Sequence, residues 1–258
     1  MARPSGVSEA SAHDAVVGIL DWLGWQVDDE TLSVHHLSRR PNGDPVFAFK
    51  WEGAKYVEVD RESGQVVEIL DLEQKSAENR RVSLQPSQAV EIALGFLRRF
   101  ELLPRGVSAP ELLLDQPSMG RRCWVVKWDH VPVIGDVPIR VMDEGLNVQV
   151  DSGSSKVLNY YRSFWSSPRP FSLEMPADLA LARAMNLFEE NIPEREIFSI
   201  HETLQFVRPN FYWDERDPID REIRAAWVAV VTFHDNRKAE FWFDVETGAC
   251  IGGDATRR

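Results

Sequence analysis

A short pattern recurs three times at almost constant spacing, which restricts the chain to architectures built from duplicated units. Val57-Glu58-Val59-Asp60 runs through Arg61-Glu62-Ser63-Gly64 into Gln65-Val66-Val67. Phe241-Trp242-Phe243-Asp244 runs through Val245-Glu246-Thr247-Gly248 into Ala249-Cys250-Ile251. Between them, Val148 and Val150 alternate up to Asp151, and Ser152-Gly153-Ser154 turns the chain toward Lys156. The three aspartates lie 91 and 93 positions apart (151 − 60 and 244 − 151). An aspartate carboxylate can accept backbone N–H groups two residues on, and glycine accepts positive φ, so Asp-x-x-x-Gly predicts a hairpin turn. The central copy departs from it: Ser155 stands where the glycine belongs, and Gly153 is displaced by two.

The stretch Cys123 to Trp165 contains the central copy and reads as several antiparallel strands. Trp124, Val126 and Trp128 alternate with Val125 and Lys127, as a strand with one buried face requires. Gly135-Asp136, bounded by Pro132 and Pro138, predicts a turn, and Ile139 to Met142 alternates again. Asp143-Glu144-Gly145 is a second turn signal. Short turns between successive strands predict a meander.

Helical periodicity precedes each meander. Ser11 and Asp14 resemble a capping box, and Ala12, Val16, Ile19, Leu20 and Leu23 share one face before Gly24 stops the helix. After a charged stretch over 73–81, Pro86 fits a first turn. Ala89, Ile92, Ala93, Phe96, Leu97 and Phe100 then form the clearest amphipathic face, ended by Pro104 and Gly106. Pro176 opens a third helix with Leu181, Ala184, Met185, Phe188 and Ile192 on one side. Thr203 to Val207, Ala226 to Phe233 and Ala239 to Asp244 read as strands. The expected fold is therefore α+β: three repeated units over 11–78, 79–168 and 169–258, each an amphipathic helix on an antiparallel meander of about four strands. Residues 1–10 are expected to be disordered.

The net charge of −12 opposes binding to nucleic acid or anionic membranes and suits a basic partner. No apolar run approaches the roughly 20 residues that span a bilayer. The first residues lack the apolar core of a secretory signal, so the sequence as it stands reads as cytoplasmic, or as extracytoplasmic if a signal was removed. The oligomeric state is not legible from it. Cys123 and Cys250 sit in strand-like contexts, and two such cysteines establish neither a disulfide framework nor a metal site.

These features resemble the PepSY-like repeats of the YcdB/YcdC type. The resemblance is carried by the helix Ser87 to Leu97, by the strand pair Val125 to Trp128 and Val131 to Val141, and by the ending Val57 to Val66. The first unit lacks the VIGD hairpin, and the third carries Arg208 to Arg221 in its place. The resemblance implies a noncatalytic module that inhibits or modulates a peptidase, usually outside the cytoplasm, and it implies no catalytic residue.

Motif chemistry agrees with a nonenzyme. The sequence contains no phosphate-binding glycine loop, no G-x-S-x-G, no H-E-x-x-H and no C-x-x-C. His35 and His36 are adjacent, and in a strand they would point to opposite faces rather than to one ion. No cofactor and no metal are expected. The best local candidate for recognition is the irregular stretch holding Phe211, Tyr212, Trp213, Asp214, Glu215, Asp217 and Asp220, with Trp165 as a second exposed aromatic at a segment edge. Trp51, Trp124, Trp128, Trp227 and Trp242 lie in alternating strands and are expected in cores. The expected function is noncatalytic binding of a protein or peptide, basic in character. The alternative is a small-molecule binder with a pocket between a helix and its curved sheet.

Overall fold

A computed structural model describes residues 6–25, 32–39, 45–51, 55–71, 84–115, 123–164, 168–192, 196–213 and 222–255. The chain divides into two compact units, Met1–Asp129 with Glu144–Trp165, and His130–Asp143 with Ser166–Arg258. Among the described residues the class is α+β, with three helices and sheets that are antiparallel apart from one short pairing. In chain order the elements are α1 (Glu9–Trp22), β1 (Ser33–Arg39), β2 (Pro45–Trp51), β3 (Lys55–Asp60), β4 (Val66–Asp71), α2 (Pro86–Arg99), β5 (Glu111–Asp115) and β6 (Cys123–Asp129). There follow β7 (Val133–Ile134), β8 (Val137–Pro138), β9 (Arg140–Val141), β10 (Gly145–Asp151), β11 (Val157–Ser163), α3 (Ala177–Asn191), β12 (Ile197–Val207), β13 (Arg224–Phe233), β14 (Lys238–Asp244) and β15 (Cys250–Ala255). The charged stretch over 73–81 lies outside the described residues.

The first unit holds one eight-stranded sheet, ordered β1-β2-β3-β4-β11-β10-β6-β5. Tyr160↔Ile69 and Tyr161↔Glu68 join its two four-stranded meanders. Helices α1 and α2 both contribute to a single core with this sheet, in which Ala12, Val16, Leu20, Ala93, Phe96 and Leu97 meet Phe49, Val57, Ile69, Val126, Val148 and Tyr160. Trp22 of α1 lies across Phe96 of α2 and Phe100, the residue that caps α2, at 5.5 and 5.7 Å.

The helix ends differ from the periodicity in informative ways. α1 starts at Glu9, because Ser8 rather than Ser11 is the N-cap and its Oγ accepts the Ser11 N–H at 3.2 Å. Of the start expected to be disordered, residues 1–5 lie outside the described residues, Glu9 and Ala10 belong to α1, and Val7 N–H bonds Arg61 O at 2.9 Å. Gly24, at φ +71°, ends α1 as expected, with Trp25 N–H on Leu20 O at 2.9 Å. α2 stops at Arg99, short of Pro104. Glu101 takes the left-handed conformation at φ +55°, and Leu102 N–H closes on Leu97 O at 2.8 Å.

The expected meander over 123–165 is interrupted. β6 pairs directly with β10, from Asp129↔Gly145 to Cys123↔Asp151, and residues 130–143 belong to the second unit. The ladder closes tightly because Gly145 has no side chain: a Cβ there would sit 2.3 Å from Trp128 O. The strand expected over Ile139–Met142 is reduced to β9, which continues the β7–β8 hairpin: Ile139 N–H bonds Pro132 O at 3.0 Å and Val141 N–H bonds His130 O at 2.8 Å.

In the second unit the sheet order is β15-β14-β13-β12-β9. One face carries α3: Ala180, Ala184 and Phe188 pack on Ala229, Val231, Phe233, Phe241 and Phe243. β12 runs for 11 residues, longer than expected, because the alternation in Phe198-Ser199-Ile200-His201 was too polar to read as a strand.

All three aspartate turns have one geometry. Asp60, Asp151 and Asp244 each accept, on Oδ1, the N–H groups two and three residues on, at 2.6–3.1 Å. The residue four positions on donates to the aspartate carbonyl, and it is Gly64 at φ +70°, Ser155 at φ +60° and Gly248 at φ +70°.

Candidate functional site

The site is built from β12 upward. β13 takes one side of β12 along its whole length, from Ile197↔Phe233 to Val207↔Arg224. On the other side β9 takes only two positions, Gln205↔Arg140 and Phe206↔Val141, in parallel register. Met142 N–H reaches Phe206 O at 2.8 Å, so Phe206 turns its backbone away from β13. Backbone groups alternate sides along a strand, so Ile200 and Glu202 turn theirs the same way. Among the described residues no strand lies beside them. The ladder slips between Ile197 and Ser199, leaving Phe198 without a register partner, 64% exposed and with its ring 5.4 Å from that of His234. The adjoining β13–β14 turn is pinned by Arg237, which is raised in pKa by its hydrogen bonds to Asp235.

The opposite edge of the sheet is closed. Asn210 Oδ1 accepts Gly253 N–H at 3.0 Å and Asn210 Nδ2 donates to Gly253 O at 2.7 Å. The N–H groups of Asn210 and Phe211 both reach Ile251 O, at 3.2 and 3.1 Å. Asn210 Oδ1 also accepts Tyr212 N–H at 3.1 Å. Trp213 stacks on Phe241 at 4.6 Å and donates Nε1–H to Glu240 O at 2.8 Å. Gly252 and Gly253 leave room for this: a Cβ on Gly253 would sit 2.1 Å from Trp213 Nε1.

Three of the expected site residues are thus accounted for. Phe211, Tyr212 and Trp213 are half-buried: the Phe211 N–H caps Ile251 O on the β15 edge, and Trp213 lies on Phe241 of β14 with Tyr212 edge-on to it. Asp214, Glu215, Asp217, Asp220 and Trp165 lie outside the described residues. Asn210 carries the arrangement and was missed. The signal was there, in an asparagine after proline and a glycine pair inside a strand, which marks close backbone approach. Trp128 and Trp242 are buried as expected, while Trp124 and Trp227 are half-buried and donate Nε1–H to Leu84 O and Met175 O.

A recess of about 310 Å³ opens at the other end of this sheet, lined by Phe171, Phe206, Ile223, Arg224, Asp244 and Glu246 among others. It lies by Phe206 and Asp244, where β12 and β14 end, whereas beneath α3 the sheet is filled by aromatic and alanine side chains. Four of its five charged side chains form ion pairs, and Glu246 is held by neutral donors. Arg224 Nη1 lies 3.2 Å from the nearly buried Asp244 Oδ2, Arg169 pairs with Glu222, and Glu246 accepts Ser172 N–H at 3.2 Å. Cys123 is buried, Cys250 half-buried, and neither forms a disulfide. Among the described residues no three His, Cys, Asp or Glu side chains converge as a metal site, and no helix is long and apolar enough to cross a membrane.

The chain matches no protein-family model and no curated protein. Among solved structures it is similar to the Bacillus megaterium YpeB C-terminal domain, with a TM-score of 0.47 and 10% identity over 98% of this chain and 99% of that one.

Proposed function

We propose that the chain is a noncatalytic binding protein that takes an extended protein or peptide segment onto the open edge of β12. The observation that carries this reading is the asymmetry of the second sheet. Asn210 and Phe211 consume the backbone groups of the β15 edge, whereas those of Ile200 and Glu202 face outward with no strand beside them among the described residues. An edge in that state is a template for strand addition, and backbone hydrogen bonds supply the affinity. β9 is already an addition of this kind, two residues long.

The PepSY-like reading, with three repeats of a helix and a meander, draws support from the common geometry of the Asp60, Asp151 and Asp244 turns. It makes a peptidase the class of protein partner. The recess near Phe206 supports a second reading, a small-molecule site, but both of its arginines are already held by carboxylates.

The test is a display library of unstructured peptides, selected against the intact chain and against Glu202→Pro. Proline at this position removes one outward donor and no bond to β13. Binders lost in the variant support the proposal. Binders that ignore the substitution, or a library that yields none, overturn it.

A further inference from the structure

The chemistry of the β12 edge also selects what it can bind, and the following rests on the edge-addition reading above. We infer that the occupant is a short basic segment, which places a lysine or arginine against Glu202 and runs beside Ser199–Thr203. Two features fix the length. At one end the bulge at Phe198 breaks the ladder, and at the other β9 already occupies Gln205 and Phe206. Strand addition beyond that window would need β9 to leave.

Charge fixes the chemistry. From Arg195 to Thr203 the chain carries two glutamates and one arginine, and within Ser199–Thr203 Glu202 stands without lysine or arginine. Glu202 is half-buried on the edge itself, and Glu196 is exposed just before β12. α3 ends over this same corner, where Phe188 meets Phe233 at 5.6 Å, and it brings the exposed Glu189 and Glu190. Of the neighbouring turn's cations, Arg237 is bound to Asp235, and Lys238 is separated from the edge by β13, level with Ser199 through Thr232. Arg140 marks the closed end, opposite Gln205. Opposite charges facing each other across a ladder favour pairing, and like charges oppose it. A second copy of this chain is the disfavoured occupant, because each copy carries a net charge of −12.

The experiment uses the full chain and three labelled synthetic peptides, read by fluorescence anisotropy. One alternates lysine and valine, the second has glutamate for lysine, and the third is the lysine peptide with alternate backbone nitrogens methylated. The lysine peptide is expected to bind about tenfold more tightly than the glutamate peptide, and Glu202→Lys is expected to erase that preference. The methylated peptide is expected not to bind. If the lysine and glutamate peptides bind equally and the methylated peptide does not bind, the charge inference fails while edge addition stands. If methylation makes no difference, or no peptide binds, both fail. A dimer in sedimentation that Glu202→Pro dissolves would make a second copy the occupant and overturn the inference.

Discussion

Ser155 donates its N–H to the carbonyl of Asp151 at 3.0 Å and does so from the left-handed region, at φ +60°. Gly64 and Gly248 make the same bond to Asp60 and Asp244 at 2.8 Å, at φ +70°. The central turn therefore keeps the geometry of the other two with a residue that has a Cβ. The left-handed conformation costs a non-glycine residue about 1–2 kcal/mol, offset in part by glycine's larger unfolded-state entropy. Ser155→Gly is expected to stabilise the chain by about 1 kcal/mol, read as a raised denaturation midpoint at unchanged slope.

The three turn aspartates are not equivalent. Asp244 is 3% exposed and bonds two turn N–H groups on Oδ1 and Arg224 on Oδ2. Asp60 bonds two N–H groups and the Ser63 hydroxyl in a half-exposed turn where water can replace it. Removing a buried acceptor strands its donors at about 1–3 kcal/mol. Asp244→Ala is expected to cost more than Asp60→Ala in denaturant titration. Equal costs would mean that burial does not set the difference.

Much of the fold was legible because it is written locally. The apolar faces of α1 and α2, the stop at Gly24 and the aspartate turns depend on neighbours a few residues away. What was not legible depends on partners far along the chain. Nothing local to Ile139–Met142 reveals that Arg140 and Val141 pair with Gln205 and Phe206, about sixty-five positions on, rather than with β6. The edge of β12 was hidden for a different reason. Its alternation is broken by Glu202, which stands in the same row as Ile200, Leu204 and Phe206, and by the bulge that leaves Phe198 exposed. At the other edge the aromatic run Phe211 to Trp213 was visible, but its role was not, because that role is set by Asn210 reaching Gly253 across 43 positions.

That clamp gives a further expectation. A methyl on Gly253 would collide with Trp213 and with Glu240 O, which would sit 2.1 Å away. Gly253→Ala is expected to destabilise the second unit by about 1–3 kcal/mol, as overpacking does. The chain holds nine tryptophans, so the quenching difference between each chain and its Trp213→Phe form isolates Trp213, and Gly253→Ala is expected to enlarge that difference. If stability falls while Trp213 stays protected, the strain is relieved elsewhere and the clamp is not the sensitive point.

The polarity of the β12 edge can be tested without any ligand. Phe206 directs its carbonyl to Met142 and away from β13, so Glu202 directs its N–H outward and Thr203 directs its N–H at Val228. Proline is tolerated on an edge where the lost N–H faces solvent and not where it bonds the ladder. Glu202→Pro is therefore expected to change stability by less than about 1 kcal/mol, and Thr203→Pro to cost about 3 kcal/mol or more. Native-state hydrogen exchange adds a second readout. The amides of Ile200 and Glu202 should exchange quickly and those of His201 and Thr203 slowly, since only the latter pair are covered by β13. Slow exchange at Ile200 and Glu202 in the isolated chain would mean that the edge is already occupied, and strand addition there would be excluded.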